Sequence, residues 1–237
     1  MKLALIGYGA MGQLVSARAK NLGYEVAAVL TSRDRTKTVE EWSQNLMNHD
    51  VAIDFSVADA VPVHVAACVG AGVPIIEGTT GWKDREKEVL GLVEARGGAL
   101  LYGANFSIGV NLFYRIIACA AELFRGLEEY GPFIEEAHHA RKRDAPSGTA
   151  LRLREILRTR LEREIPTTST RAGYIPGTHR VGFDSSADQI LLTHTARSRE
   201  GFAAGALLAA RWIVGRRGVY EFSTVLDQIL KPSTEGR

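Results

Sequence analysis

The sequence predicts an α/β protein in which a parallel, doubly wound sheet is followed by a separate α+β segment. Short apolar runs rich in β-branched residues alternate with segments of helical character through the first half of the 237-residue chain, as in repeated strand-helix-strand units. After Ser107 that alternation gives way to a long helix, a strand, a second long helix and two more strands. A chain of this length holds one large domain or two small ones, and the change of pattern favours two.

The buried strands are expected over 2–7, 25–31, 51–56, 74–79 and 99–105, where apolar runs too short for helices are bounded by Gly or polar residues. Between them, 11–22, a shorter 39–47, 58–71 and 83–95 carry helical patterns with Gly or polar punctuation behind them. The second segment is expected to hold a helix near 110–124, a strand near 133–139, a helix near 147–163 and strands near 180–184 and 189–195. A last helix over 202–214 leads through a Gly- and Arg-marked turn at 215–218 into 219–230.

Composition narrows the function classes. Hydrophobic residues make up 46% and charged residues 24%, averages that exclude disordered and fibrous proteins. Lys and Arg total 29 against 27 acids, a net charge of +2, which gives no reason to expect a nucleic-acid partner. The apolar stretches are too short to span a membrane, and Met1-Lys2 runs straight into a strand and a glycine loop without a signal-peptide core. A cytoplasmic protein is expected. Cys68 and Cys119 each sit in an apolar helical segment, where a small buried thiol is the ordinary reading.

Gly7-Tyr8-Gly9-Ala10-Met11-Gly12 closes the first strand and opens the first helix, the context in which G-x-G-x-x-G binds a dinucleotide. The first glycine permits the turn, the second admits a pyrophosphate, the third lets helix and strand pack, and the helix start attracts the phosphates. The second strand ends in Thr31-Ser32-Arg33 rather than in an acid. Ser32 and Arg33 therefore point toward the extra phosphate of NADPH over the bare ribose of NADH, with Asp34 beside them as an internal counter-charge. Gly78-Thr79-Thr80 and Gly103-Ala104-Asn105-Phe106 follow later strands, at the end of the sheet where such folds bind ligands. They are candidates for the nicotinamide half.

The densest chemistry lies in Glu135-Glu136-Ala137-His138-His139-Ala140-Arg141-Lys142-Arg143-Asp144-Ala145-Pro146-Ser147-Gly148-Thr149-Ala150. Pro146 and Ser147 start an amphipathic helix whose free amides form an anion site. Ser147, Gly148 and Thr149 are expected to grip a carboxylate, with His138, His139 and Lys142 beside them as titratable and cationic groups. A dianion suits that setting. No metal is expected, because His138 and His139 point to opposite faces of a strand and no second spaced pair accompanies them.

The run E-A-H-H-x-x-K-x-D-A-P-S-G-T-A resembles the signature of the dihydrodipicolinate reductases, also called 4-hydroxy-tetrahydrodipicolinate reductases. The likeness extends to the glycine loop, Asp54-Phe55-Ser56, Gly78-Thr79-Thr80-Gly81, Asn105-Phe106-Ser107-Ile108-Gly109-Val110-Asn111 and Phe202-Ala203-Ala204-Gly205-Ala206. It implies a Rossmann-like domain over 1–106 with 201–237 that carries NADPH or NADH. It also implies an α+β domain over 107–200 that binds a small dicarboxylate and assembles a homotetramer. By resemblance, His138 and Lys142 are catalytic, and His139, Lys142, Ser147, Gly148 and Thr149 bind substrate. The implied reaction is reduction of a cyclic imine dicarboxylate in lysine and diaminopimelate biosynthesis. The chain departs from the family where the glycine loop often has an extra Arg, where the second strand often ends in an acid, and at Gly103, where Ala is frequent. Another nicotinamide-dependent dehydrogenase, or a sensor that binds the nucleotide without turnover, would keep the glycines but has no use for His138 and Lys142.

Overall fold

The computed structural model describes residues 1–34 and 36–230, so the end of the expected first domain, 231–237, lies outside the described residues. The chain divides into two compact units, Met1–Ile108 with the chain from Glu200 onward, and Gly109–Arg199.

The first unit is built on a six-stranded, wholly parallel sheet. Its strands are β1 (Lys2–Ile6), β2 (Glu25–Leu30), β3 (Val51–Asp54), β4 (Ile75–Glu77), β5 (Ala99–Tyr102) and β10 (Gly218–Glu221), in the order β10-β5-β4-β3-β1-β2. Successive residues of a strand point to opposite faces, and here both faces are buried. Leu3, Leu5 and Ile53 feed one core with α1 (Ala10–Asn21), α7 (Glu200–Ile213) and α8 (Phe222–Leu230). Ala4, Ile6 and Ala52 feed the other with α2 (Val39–Leu46), α3 (Val61–Ala71) and α4 (Glu86–Ala95). Burial on both sides explains why these strands read as unbroken apolar runs rather than alternating ones.

Two details differ from the sequence reading. The helices expected from 58 and 83 each open with a short 3₁₀ turn, Ala58–Ala60 and Lys83–Arg85, before α3 and α4 begin. The segment 219–230 is not one element: it starts as the sixth strand, β10, and only then becomes α8.

The second unit carries α5 (Ile108–Leu123) from Gly109 onward, α6 (Gly148–Leu161) and a four-stranded sheet. That sheet runs β7-β6-β8-β9, with β6 (Gly131–His138), β7 (Thr167–Arg171), β8 (Thr178–Asp184) and β9 (Gln189–Thr195). The sequence reading missed β7, which pairs parallel to β6. Its residues, Thr-Thr-Ser-Thr-Arg, contain no apolar alternation because it is an edge strand with little to bury. One face of the sheet packs with α5 and α6 around Phe113, Ile117, Ile134, Leu153, Leu157, Val181 and Phe183.

Candidate functional site

At the C-terminal ends of the first unit's strands the glycine loop is shaped by close backbone approaches. Gly7 has φ +85°, and a Cβ there would lie 2.5 Å from the Phe55 carbonyl oxygen, while a Cβ on Gly12 would run into the carbonyl of Gly7. Gly9 differs, with open space where its Cβ would be. It is the N-cap of α1 and offers no side-chain cap, so no cap side chain takes the first amides of the helix. That cradle suits a pyrophosphate. Tyr8 and Ala10 are exposed beside it, and Met11 packs against the core.

Ser32 and Arg33 lie in a short 3₁₀ turn after β2. The nearby acid is engaged elsewhere: Asp34 pairs with Lys37 at 2.7 Å and accepts the Thr31 amide at 2.8 Å. Lys37 holds its carboxyl below the usual range. Arg33 has no ion-pair partner among the described residues, which leaves its guanidinium available for a phosphate.

The two later loops are locked from behind. A Cβ on Gly78 would strike the Phe55 ring, and one on Gly103 would lie 3.0 Å from the Phe222 Cβ. Thr79 is buried, while Thr80 and Ala104 are exposed, and Asn105 Oδ1 accepts the Ser107 amide at 2.8 Å. The Phe106 ring is 1% exposed and packs on Phe222 and Phe55.

In the second unit, one sheet face gathers a polar cluster from three neighbouring strands. Ile134, Glu136 and His138 alternate inward along β6. Glu136 is in register with His179 of β8, and His138 with Arg171 of β7. Arg171 Nη2 donates to Glu136 Oε1 at 2.6 Å, His138 Nδ1 contacts Glu136 Oε2, and the Ser147 amide donates to Glu136 Oε1 at 3.3 Å. Burial works to raise the Glu136 carboxyl, but Arg171 and its other donors hold it down to about 2. Burial pushes the His138 imidazole down, and the Glu136 charge pulls it partly back. Its Nε2 looks toward Gly177, where a Cβ would come within 3.0 Å. Burial, with His138 beside it, pushes His179 down to about 4.

Ser147 is the N-cap of α6, the helix start expected there. It is 2% exposed, caps α6 by accepting the Ala150 amide at 3.2 Å, and meets His179 Nε2 at 3.0 Å. Its side chain secures the helix start and turns away from solvent. The donors left facing out there are the amides of Gly148 and Thr149, the first of α6, which have no acceptor among the described residues. Lys142 is held by its own loop, donating to both Asp144 oxygens at 2.8 and 2.9 Å. His139 is half-buried, and its Nδ1 has no hydrogen-bond partner among the described residues. The ligand atoms of Glu136, His138 and His179 lie within 4.8 Å of one another, but Arg171 already occupies Glu136 and a divalent cation would meet its guanidinium charge.

The family model described as "Dihydrodipicolinate reductase, N-terminus" matches residues 1–106, and "Dihydrodipicolinate reductase, C-terminus" matches 109–226. The chain belongs to the dihydrodipicolinate reductase family. It is 37% identical over 243 residues to the 4-hydroxy-tetrahydrodipicolinate reductase of Christiangramia forsetii, across 98% of this chain and 100% of that protein. It is 34% identical to that of Archaeoglobus fulgidus, across 96% and 100%. The dipicolinate-bound dihydrodipicolinate reductase from Paenisporosarcina sp. TG-14 shares the fold, with a TM-score of 0.77 at 22% identity over 95% of this chain and 99% of that one. The resemblance read from the signature is thus confirmed at the level of the family.

Within this family frame, the sequence reading passed over Glu136, Arg171, Gly177 and His179. Glu136 was findable, since a strand through His138 puts residue 136 on the same face. His179 lay one residue before the strand expected from 180. Arg171 ends the strand that polar composition concealed.

Proposed function

We propose that this chain is an NAD(P)H-dependent 4-hydroxy-tetrahydrodipicolinate reductase of lysine and diaminopimelate biosynthesis. The observation that carries the catalytic part is the Glu136-anchored imidazole of His138. With Nδ1 turned to Glu136 and Glu136 fixed by Arg171, Nε2 is the nitrogen left to hold and deliver a proton. A bound nicotinamide would supply hydride to the ring formed when the hydroxylated substrate loses water.

Gly9, the α1 amides, Ser32 and Arg33 would hold the phosphates and ribose, and the 78–80 and 103–106 backbones the nicotinamide half. Gly148, Thr149, His139 and Lys142 would hold the substrate carboxylates. Before substrate arrives, Asp144 occupies the Lys142 ammonium as an internal carboxylate; a substrate carboxylate takes that place by exchange. A dianion set among Lys142 and Arg171 favours the protonated form of His138 and readies it to protonate the enamine carbon. The balance is one substrate, one NAD(P)H and one proton giving tetrahydrodipicolinate, NAD(P)⁺ and water.

Self-assembly through the second sheet, as a homotetramer, completes the reading. Among the described residues its outer strand β9 has an unpaired edge and leaves Ile190 and Leu191, on opposite faces, both 45% exposed, apolar surface a partner would cover. No helix among the described residues is long and apolar enough to cross a membrane, in keeping with a cytoplasmic location. The test is oxidation of NADPH and NADH with enzymatically generated 4-hydroxy-tetrahydrodipicolinate. Turnover lost in His138→Gln with cofactor binding retained supports the assignment, and near-wild-type turnover in a folded His138→Gln protein overturns it.

A further inference from the structure

The first unit buries a second cluster of titratable groups, outside the segment that carries His138. Asp54 ends β3, Glu77 ends β4, and the two are in register on adjacent parallel strands, so their side chains share a face. Both are 0% exposed, and His64 of α3, 6% exposed, donates from Nδ1 to Asp54 Oδ2 at 2.7 Å. Two carboxyls and an imidazole withdrawn from water at the ends of two core strands cost folding free energy unless each is partnered. An apolar sheet end would have been simpler.

Their partners are the ligand-facing loops. Glu77 Oε1 accepts the Thr79 amide at 2.7 Å, and the Thr79 hydroxyl reaches Asp54 Oδ1 at 3.4 Å while accepting the Ser56 amide at 3.0 Å. Ser56 Oγ also lies 3.4 Å from His64 Nδ1, and Trp82 Nε1 donates to the Thr79 carbonyl at 2.8 Å. The loop after β3 and the loop after β4 are thereby tied to each other through the cluster. The contact of Gly78 with the Phe55 ring leaves no slack between them.

We propose that Asp54, His64 and Glu77 form a buried cluster, joined through Thr79, that sets the 55–56 and 78–81 loops for the nicotinamide half of the cofactor, with Glu77 as a positioning residue. This rests on the reading that residues 78–80 meet that half. Glu77 Oε2 is buried with no donor facing it among the described residues, and an ionised oxygen there would face the neighbouring Asp54 unscreened, whereas a protonated one can donate to it. The proton therefore sits on Glu77. Burial first, and Asp54 next, push its carboxyl well above the usual range. The other titratable groups facing it stay neutral: burial raises the Cys68 thiol of α3, and burial also raises the Tyr102 phenol, which stands opposite Glu77 on β5. When Glu77 loses its proton, two like charges meet across the strand pair, and the Thr79 hydroxyl and amide that bridge them must shift.

The test is calorimetric titration with NADPH and with 2′-phospho-ADP-ribose, which lacks the nicotinamide, at stepped pH values from 7 to the alkaline limit of the folded protein. In the wild type, NADPH affinity should fall as pH rises and Glu77 ionises, with the fragment's affinity far less affected. Glu77→Gln, fixed in the neutral form, should remove that alkaline loss. Glu77→Ala should weaken NADPH about tenfold at pH 7 while sparing the fragment, an asymmetry that a general loss of stability does not produce. If Glu77→Ala fails to fold, the wild type and Glu77→Gln profiles decide alone. The proposal is overturned if those two profiles coincide. Thr80→Trp separates this from the reading beneath it. If bulk at the exposed Thr80 leaves the ratio of NADPH to fragment affinity unchanged, the loop does not meet the nicotinamide. If it changes that ratio and the Glu77 variants do not, only the role of Glu77 falls.

Discussion

Replacing His179 with Gln should remove a measurable part of the protein's acid sensitivity. His179 is 4% exposed, with its Nε2 against Ser147 Oγ and its ring edge-on to His138 at 5.1 Å between centroids. A proton there meets the imidazole of His138 and, among the described residues, no counter-charge except Glu136, already shared with Arg171. In the unfolded chain an imidazole titrates near about 6.5, and in the fold His179 titrates at about 4. The folded pKa is the lower one, so between those values the unfolded state binds more protons and stability falls as pH falls. Linkage gives about 3 kcal/mol in total, of which about 2 kcal/mol is lost between pH 7 and pH 5. His138, also shifted down, adds in the same direction. Glu136 does not confuse the measurement, because a carboxyl held at about 2 costs stability only below the ordinary Glu range of about 4.3. Urea melts followed by far-ultraviolet circular dichroism at pH 7, 6 and 5 read the difference, and the His179→Gln curve should be flatter by about 2 kcal/mol. An imidazole resonance of His179 titrating near 6.5 in the folded protein, or a variant as acid-sensitive as the wild type, would refute the argument.

Further expectations follow from the same contacts. His138→Gln and Lys142→Ala should each lower turnover by roughly two orders of magnitude or more. Steady-state kinetics should show Lys142→Ala also raising KM, since a cation that holds a carboxylate acts in ground and transition states alike. Glu136→Gln leaves Arg171 and His138 without their shared anion and should cost about 3 kcal/mol in a urea melt, while moving the pH at which kcat/KM declines to lower values. Arg33→Ala should weaken NADPH more than NADH in calorimetric titration, and an unchanged ratio would remove the phosphate role from Arg33. Gly205→Ala places a Cβ against the Phe106 carbonyl and should destabilise by about 2 kcal/mol; an unchanged melting temperature would show that this packing yields easily.

The sequence by itself determined the first unit's alternation, because strands buried on both faces and helices buried on one must carry their pattern in consecutive residues. It also determined the glycine loop and the family, since G-x-G-x-x-G and the run from Glu136 to Ala150 are local in the chain. The breaks at β7 and β10 were not legible. Thr167–Arg171 has no apolar face to announce a strand, and Gly218–Glu221, four residues half-buried on an edge, gives too little pattern to separate from the helix behind it. Tertiary structure alone decided which groups share a site. Register between β6, β7 and β8 brings Arg171 and His179, more than thirty positions beyond His138, onto its face. Register between β3 and β4 sets Asp54 beside Glu77. Ser147 reads as a helix start and carboxylate ligand in the sequence, and only the fold adds the β8 imidazole that meets its hydroxyl. A cap, a strand face and a charge partner differ in what lies opposite the side chain, and the linear sequence does not contain that opposite side.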